Sequence, residues 1–333
     1  MQRFKAQRNM RTVLATLVTS MGIMTASGVT PAAAAEYPDK PITLIVGFSP
    51  GGSNDIAARA LAKPLTEILG VSVVVENKVG ASGMIATTHV ARAEPDGYTL
   101  MVSSASPLVV TPHTAKNVAY DARKDFAAIS LIGITPETLA INPDVPAKTL
   151  QEVVALAGQK QLTIASSGTG GLPHLAIELF RSAAGGNIVH VPYKGAAPAV
   201  TDTLAGHVDG VVVDLPAVYK HIQSGGLTGI AMANDKRSEF LPDLPTTGEQ
   251  GMPSFVAVNW IGLIAPAGTP DSVIQKLHAA TLKASEQTEL KQQLATAAVE
   301  LSTSASPADF QQFISTEYDR WGKVVKDANI KVE

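Results

Sequence analysis

The fold of this chain is decided by the stretch Gly47-Phe48-Ser49-Pro50-Gly51-Gly52-Ser53-Asn54-Asp55. It follows Ile42–Val46, a short apolar run rich in β-branched residues that is typical of a buried strand. After it, apolar residues recur at helical spacing, and Ser53, Asn54 and Asp55 all suit a helix N-cap. The sequence therefore predicts a strand, a Pro-Gly-Gly turn and the N-terminus of a helix.

A loop of this kind can hold an anion. Glycines let backbone N–H groups approach a ligand, and the first turn of a helix leaves its N–H groups unpaired and partly positive. The alternative interpretation is a plain turn that needs a positive φ at Gly51 or Gly52 and binds nothing. One loop alone does not decide between the two, because short glycine motifs occur often without a ligand.

A second loop of the same design favours ligand binding. The strand Leu162–Ala165 leads into Ser166-Ser167-Gly168-Thr169-Gly170-Gly171-Leu172-Pro173-His174, and an amphipathic helix is predicted over residues 175–184. The Gly168-x-Gly170 spacing resembles a dinucleotide fingerprint, but Pro173 takes the place of the third glycine. No acidic residue follows at the distance that fingerprint needs, which argues against a nucleotide.

Two further predicted strands end in small polar loops. Residues 71–76 are followed by the Gly-rich stretch 77–83, and the strand predicted at 98–102 ends in Ser103-Ser104-Ala105. Ligands of open α/β sheets bind beyond the carboxyl ends of the strands, where all these loops are expected to lie.

The first 35 residues are predicted to be a cleaved signal peptide and no part of the fold. They contain four basic residues, no acidic one, an apolar segment at 13–24 and the small residues of a cleavage site ending at Ala35. Cleavage there leaves Glu36 first and takes the formal net charge from −3 to −7, since four positive charges are removed. Such an acidic protein is not expected to bind nucleic acid.

Residues 36–333 are too many for one typical core and suggest two domains. The chain has no cysteine, which excludes disulfides and thiol-based metal or redox chemistry. From residue 271 onward every predicted element is a helix, and this helical block is expected to pack on the first domain. The chain would then cross between the two domains twice, near residues 135–142 and 255–264, and form a cleft with a hinge. Two short strand-like runs, at 129–132 and 139–141, are predicted around the first crossing.

An enzymatic interpretation finds little support. The chain has no Gly-x-Ser-x-Gly elbow and no His-Glu-x-x-His motif. His174 and Glu178 are four residues apart, but two ligands do not make a metal site, so no metal is expected. His174 is interpreted as a residue of the pocket wall or of plain packing, and Asp214 either as a helix N-cap or as a cleft residue suited to an ammonium group or a water. Lys194 is expected to face solvent, and Arg59 to pair with an acid of its own domain.

The chain also resembles a known family along nearly all of residues 36–333. The resemblance is carried by Phe48-Ser49-Pro50-Gly51-Gly52 with Asp55 and Arg59, and by segments 36–42, 76–83, 96–100, 191–195, 208–209 and 266–270. These look like the Bug-type extracytoplasmic solute receptors of tripartite tricarboxylate transporters. Departures at Ser53, Asn54 and Ala196-Ala197 leave the identity of the ligand open.

The resemblance implies a two-lobed α/β fold of the periplasmic-binding-protein (Venus flytrap) type, with two crossover strands and the C-terminal helical block on the first lobe. The implied organisation is a signal peptide at 1–35, a first lobe of 36–138 plus 262–333 and a second lobe of 139–261. It implies a monomeric periplasmic protein without cofactor that binds a small carboxylate and delivers it to membrane permease subunits. A ligand-sensing subunit of a membrane signalling kinase, and a secreted hydrolase, are the alternatives.

The resemblance also implies that main-chain and hydroxyl donors hold the carboxylate, partly through water, without an arginine. The residues predicted to bind ligand are Ser49, Pro50, Gly51, Gly52, Ser53, Asn54, Asp55, Ser103, Ser104, Ala105, Ser166, Ser167, Gly168, Thr169, Gly170, His174 and Asp214. Dicarboxylates, acidic amino acids and aromatic acids all remain open as ligands.

Overall fold

The computed structural model describes residues 37–327. The predicted signal peptide and its cleavage site lie outside these residues, as does the predicted last helical residue, Ala328. None of the helices within 37–327 combines the length and the apolar character that a membrane span requires.

Strands and helices alternate along most of the described part of the chain. The strands are β1 (Ile42–Val46), β2 (Val73–Asn77), β3 (Thr99–Ser104), β4 (Phe126–Ile141), β5 (Leu162–Ser166), β6 (Ile188–Pro192), β7 (Gly210–Asp214), β8 (Thr228–Met232), β9 (Val258–Pro266) and β10 (Glu300–Leu301). The α-helices are α1 (Ser53–Leu69), α2 (Met84–Ala91), α3 (Thr111–Thr114), α4 (Leu150–Ala157), α5 (Leu172–Ala184), α6 (Ala196–Leu204), α7 (Leu215–Gln223), α8 (Asp271–Glu286), α9 (Thr288–Thr296) and α10 (Pro307–Asp327). A short 3₁₀ turn at Ala81–Gly83 and a π-helical turn at Ser106–Val110 complete the described elements.

The strands form two groups that share the long strand β4. In the first lobe β2, β1 and β3 are parallel, and β3 pairs antiparallel with β9. In the second lobe β6, β5 and β7 are parallel, and β7 pairs antiparallel with the end of β4. The parallel strands are joined through helices, as the alternating pattern predicts.

The long strand β4 links the two lobes. Its first part pairs with β9 as far as Pro136, opposite Val258, and from Glu137 onward it pairs with β7 and β8. The sequence predicted two short runs here, at 129–132 and 139–141, and the structure joins them into one strand of 16 residues. The result is the two-lobed α/β fold with crossover strands that the sequence predicted.

The C-terminal helices pack on the first lobe, as predicted. Leu277 of α8 belongs to the same buried cluster as Leu44 of β1 and Leu61 of α1. The ring of Phe310 on α10 lies edge-on to that of Trp260 on β9, with centroids 5.6 Å apart. Gly262 makes this approach possible, because a Cβ there would overlap the Phe310 ring. Burial of each such large side chain contributes about 1.5–3 kcal/mol.

Three details of the prediction are corrected by the structure. Helix α1 begins at Ser53 with Gly52 as its N-cap, so none of Ser53, Asn54 and Asp55 caps it. Helix α5 begins at Leu172, three residues early, because Pro173 is well suited to the first helical turn.

The third correction concerns the C-terminal block, which is not wholly helical. Strand β10 pairs with β4 between α9 and α10. Its partner Gly133 has no side chain, which leaves room for Val299 and the carbonyl of Glu300.

Candidate functional site

A small cavity lies between the lobes at the carboxyl ends of β3 and β7. Its volume of about 20 Å³ has room for about one water molecule. The lining residues come from both lobes: Phe48, Gly52, Ser53, Asn54, Ser104, Ser106, Glu137, Ser167, Pro173, Ala196, Asp214 and Asn259.

Two helices point their N-termini into this cavity from opposite lobes. Helix α1 begins at Gly52 and Ser53, and α6 begins at Ala196, next to Gly195. Neither N-cap residue supplies a side-chain hydrogen bond, and the N–H groups of Ser53, Asn54 and Ala196 have no backbone acceptor within residues 37–327. Free N–H groups at the positive end of a helix dipole form a site for an anion.

Asp55 stabilises the first loop from behind the cavity. Its carboxylate accepts hydrogen bonds from the Gly51 N–H at 3.0 Å and from Asn77 at 2.9 Å, and it forms an ion pair with Arg59 at 2.9 Å. Burial raises the pKa of Asp55, but the bonds from Arg59, Asn77 and Gly51 outweigh burial and hold the pKa below its ordinary value. The prediction that Arg59 pairs within its own lobe is confirmed.

The second loop makes hydrogen bonds that join the lobes. The Ser82 hydroxyl donates to the Thr169 carbonyl at 2.7 Å, and the Thr114 hydroxyl donates to the Gly170 carbonyl at 2.6 Å. The Leu172 N–H donates to the Ser106 hydroxyl oxygen at 3.0 Å, so the first turn of α5 is already engaged. The lobes are therefore closed on each other in this structure.

A pair of histidines supports the second loop from within its own lobe. Nδ1 of His174 accepts the Gly170 N–H at 3.0 Å, and the His174 ring stacks on His190 at a centroid distance of 3.7 Å. His190 Nε2 lies 2.6 Å from the Ser166 hydroxyl. Burial, reinforced by His174, lowers the pKa of His190 to about 3, so this ring is neutral at ordinary pH.

The wall of the cavity also carries two buried carboxyl groups. Glu137 and Asp214 are directly opposed across the β4–β7 ladder and are 1% and 7% exposed. Asp214 accepts hydrogen bonds from the Ser53 hydroxyl of the other lobe and from Asn259. It occupies the N-cap position of α7 but makes no side-chain cap, so the N-cap interpretation of its side chain is wrong.

Glu137 has fewer partners than Asp214. Its buried Oε2 atom has no hydrogen-bond partner within the described residues. Burial, and then the charge of Asp214, raise the pKa of Glu137 well above its ordinary value. Burial also raises the pKa of Asp214, against the opposing effect of the bonds from Ser53 and Asn259.

The structure brings six of the predicted residues to the cavity wall and leaves eleven off it. On the wall are Gly52, Ser53, Asn54, Ser104, Ser167 and Asp214. Off it are Ser49, Pro50, Gly51, Asp55, Ser103, Ala105, Ser166, Gly168, Thr169, Gly170 and His174. Of these, Gly168 and Thr169 line a neighbouring groove of about 270 Å³ together with the exposed Lys194.

Six more residues line the cavity that the sequence did not predict to bind ligand: Phe48, Ser106, Glu137, Pro173, Ala196 and Asn259. Glu137 and Asn259 carried a usable signal, because each is a polar residue within a run that is otherwise mostly apolar. No cluster of three His, Cys, Asp or Glu residues suited to a metal occurs within 37–327. Glu178 instead pairs with Arg181 and lies 3.6 Å from His174.

Comparison with protein families finds a match to the tripartite tricarboxylate transporter family receptor over residues 57–330. Among curated proteins, BugT of Bordetella pertussis is 36% identical over 98% of this chain and 100% of its own length.

Solved structures give the same result. The periplasmic binding protein BugD is 33% identical with a TM-score of 0.85, over 89% of this chain and 100% of its own. An R. palustris protein solved with adipate is 31% identical with a TM-score of 0.84, over 89% and 99%. MatC from Rhodopseudomonas palustris, solved with bound malate, is 29% identical with a TM-score of 0.82, over 87% and 100%.

Proposed function

Because this chain belongs to the tripartite tricarboxylate transporter family of receptors, we propose that it binds a small carboxylate between its lobes and delivers it to a membrane permease. Two structural relatives were solved with the dicarboxylates adipate and malate, which supports this class of ligand. The predicted signal peptide supports a periplasmic location, with a mature chain that begins at Glu36 and acts as a monomer.

One observation carries the proposal: two uncapped helix N-termini, one from each lobe, meet at the cavity. The N–H groups of Ser53 and Asn54 on α1 and of Ala196 on α6 lack backbone acceptors within the described residues. A hydrogen bond to a charged group contributes about 1.5–3 kcal/mol net, so a few of them suffice for micromolar binding after the costs of ordering. No lysine or arginine is among the residues that line the cavity.

We further propose that the lobes separate to admit the ligand. A cavity of about 20 Å³, with room for about one water molecule, is too small for a dicarboxylate, so the lobes must move apart before the ligand can enter. The proposed hinge lies where the chain crosses between the lobes, within β4 near Pro136 and just before β9 near Ala257, between a first lobe of 36–138 plus 262–333 and a second of 139–261. The proposed ligand donors are the cavity-wall residues Ser53, Asn54, Ser104, Ser167 and Ala196, and Gly52 leaves room for the ligand beside them.

A valine at Gly52 tests this proposal. Gly52 has φ −78°, and a Cβ there meets only the Ser49 carbonyl, at 3.5 Å, so Gly52→Val fits the backbone while its methyl groups fill the ligand space. We expect a folded protein whose affinity for adipate or malate falls about 10- to 100-fold or more, as overpacking predicts. Isothermal titration of the purified protein measures the change.

Lys194→Ala is the matched control, since Lys194 is exposed and does not line this cavity. We expect it to change affinity little. Normal binding by Gly52→Val together with lost binding by Lys194→Ala would show that a side-chain cation, and not the backbone, holds the carboxylate.

A further inference from the structure

Two chemically opposite kinds of group line the cavity. The free N–H groups of α1 and α6 suit a negative charge. Glu137 and Asp214 are acidic, Asp214 lies against the Ser53 hydroxyl, and no lysine or arginine from the described residues lines the cavity to balance them. A ligand that carried only negative charge would place part of itself against these two carboxyl groups.

The burial of these two carboxyl groups side by side, without a ligand, is energetically unfavourable. Glu137 and Asp214 are cross-strand partners, which sets their Cβ atoms about 5 Å apart, and like charges in such a pair repel each other. Ser53 and Asn259 satisfy Asp214, but Oε2 of Glu137 is buried without a partner. A buried acceptor without a partner is unfavourable unless something that enters the cavity donates to it.

We propose that the ligand of this receptor carries a protonated amine as well as a carboxylate, and that Glu137, with Asp214 beside it, binds the amine. The inference rests on the proposed function, because it assigns the ligand's carboxylate to the helix N-termini of that same site. A primary ammonium group has three donors, enough for the free Oε2 of Glu137 and the carboxylate of Asp214. The substrate class is thus a small amino acid.

Matched pairs of ligands that differ only in the amine test the inference. We would titrate the wild-type protein with L-aspartate against succinate and with L-glutamate against glutarate. We expect the amine-bearing member of at least one pair to bind about tenfold or more tightly than its partner, because a charge-assisted hydrogen bond in a buried site has this value. Equal affinity, or a preference for succinate and glutarate, would overturn the inference and leave the proposed function intact.

The variant Glu137→Gln tests whether Glu137 is the group that binds the amine of the ligand. Glutamine keeps the shape but has no charge, so we expect the preference for the amine to fall about tenfold while succinate and glutarate bind as well or better. Glu317→Gln removes a half-buried carboxyl on α10 that does not line the cavity, and should leave the preference unchanged.

One outcome would contradict the role of Glu137, and another would contradict the proposed function. If Glu137→Gln keeps the full preference for the amine, the glutamate acts as a protonated donor or as a structural residue. If none of the four ligands binds at all, while adipate and malate also fail, the proposed function itself is wrong and the inference falls with it.

Discussion

The two glycine-serine loops have the same local design and do different work. Each joins the end of a parallel strand to a helix whose N-cap is a glycine, Gly52 in the first loop and Gly171 in the second. In the first loop the N–H groups of α1 stay free and face the cavity. In the second loop the Leu172 N–H and the carbonyls of Thr169 and Gly170 bond to hydroxyl groups of the other lobe. We propose that the first loop is the ligand cradle, and we call the second, whose bonds join the lobes, the latch.

The surroundings of each N-cap glycine account for this difference. Both glycines have extended backbones, with φ −78° at Gly52 and −93° at Gly171. A Cβ added at Gly52 meets only the carbonyl of Ser49, from its own loop. A Cβ added at Gly171 meets the hydroxyls of Ser82 and Ser106, from the opposite lobe, at 3.0 and 3.1 Å. The same motif therefore leaves space in one place and tight contact in the other.

The largest expected effect, a change of both ligand affinity and molecular shape, comes from filling the tight contact. Gly171→Val places methyl groups where Ser82 and Ser106 now touch the second loop, so the lobes cannot close fully. Overpacking of this kind costs about 1–3 kcal/mol, which predicts a loss of ligand affinity of about 10- to 100-fold. Small-angle scattering should show a larger radius of gyration than for the wild type, with and without ligand.

Gly52→Val is the matched comparison for that experiment. It should lose affinity while its ligand-free scattering profile matches that of the ligand-free wild type, because its new side chain enters the cavity and not the contact between lobes. Equal scattering profiles for Gly171→Val and the wild type would remove the distinction between cradle and latch.

A second prediction uses pH to separate the supports of the two loops. His190 has a pKa near 3 in the folded protein, against 6.5 ordinarily. Between these values the unfolded chain binds one more proton, so stability falls as the pH is lowered through this window, by up to about 1.4 kcal/mol per pH unit. The carboxylate of Asp55, whose pKa is held below its ordinary 3.8, is still mostly ionised at pH 4 and supports the first loop there.

The variant His190→Gln should flatten this acid dependence. Denaturant unfolding at pH 7, 6, 5 and 4 measures it, with His207→Gln as the control because His207 is exposed. A wild-type slope unchanged in His190→Gln would show that another group governs the acid sensitivity.

The sequence predicted the architecture well because periodicity and glycine turns are local signals. The strand at Ile42–Val46, the strand that begins at Leu162 and the pairing of Arg59 with its own lobe follow from such signals and were found. The different roles of the two loops could not be predicted, since they depend on hydroxyl groups that arrive from another part of the chain. Thr114 and Gly170 are 56 residues apart.

The two buried carboxyl groups of the cavity wall could not be predicted from the sequence for the same reason. The opposition of Glu137 and Asp214 exists only once β4 and β7 pair in their antiparallel register. In the sequence Glu137 lies between the two predicted short strands at 129–132 and 139–141, which indicates a loop between them and not the interior of a strand. The continuity of β4 through Pro136 is what places it beside Asp214.

The smallest effect is expected from a single hydrogen bond of the latch. Thr114→Val keeps the shape of the side chain but removes the hydroxyl that donates to the Gly170 carbonyl at 2.6 Å, and leaves the longer bond from Thr111 at 3.2 Å. A buried hydrogen bond contributes about 1 kcal/mol, so we expect ligand affinity to fall about fivefold. Because the bond exists only between closed lobes, the loss should appear mainly as faster ligand release, which stopped-flow displacement measures.

Thr281→Val is the control that separates an effect on lobe closure from a general loss of stability. Thr281 is also buried, but its hydroxyl donates to the Leu277 carbonyl of its own helix, α8, within the first lobe. Both variants lose a buried hydrogen bond, so both should be less stable by a similar amount. Only Thr114→Val should release ligand faster. If the two variants release ligand at the same rate, the Thr114 bond stabilises the fold in general and contributes nothing specific to closure.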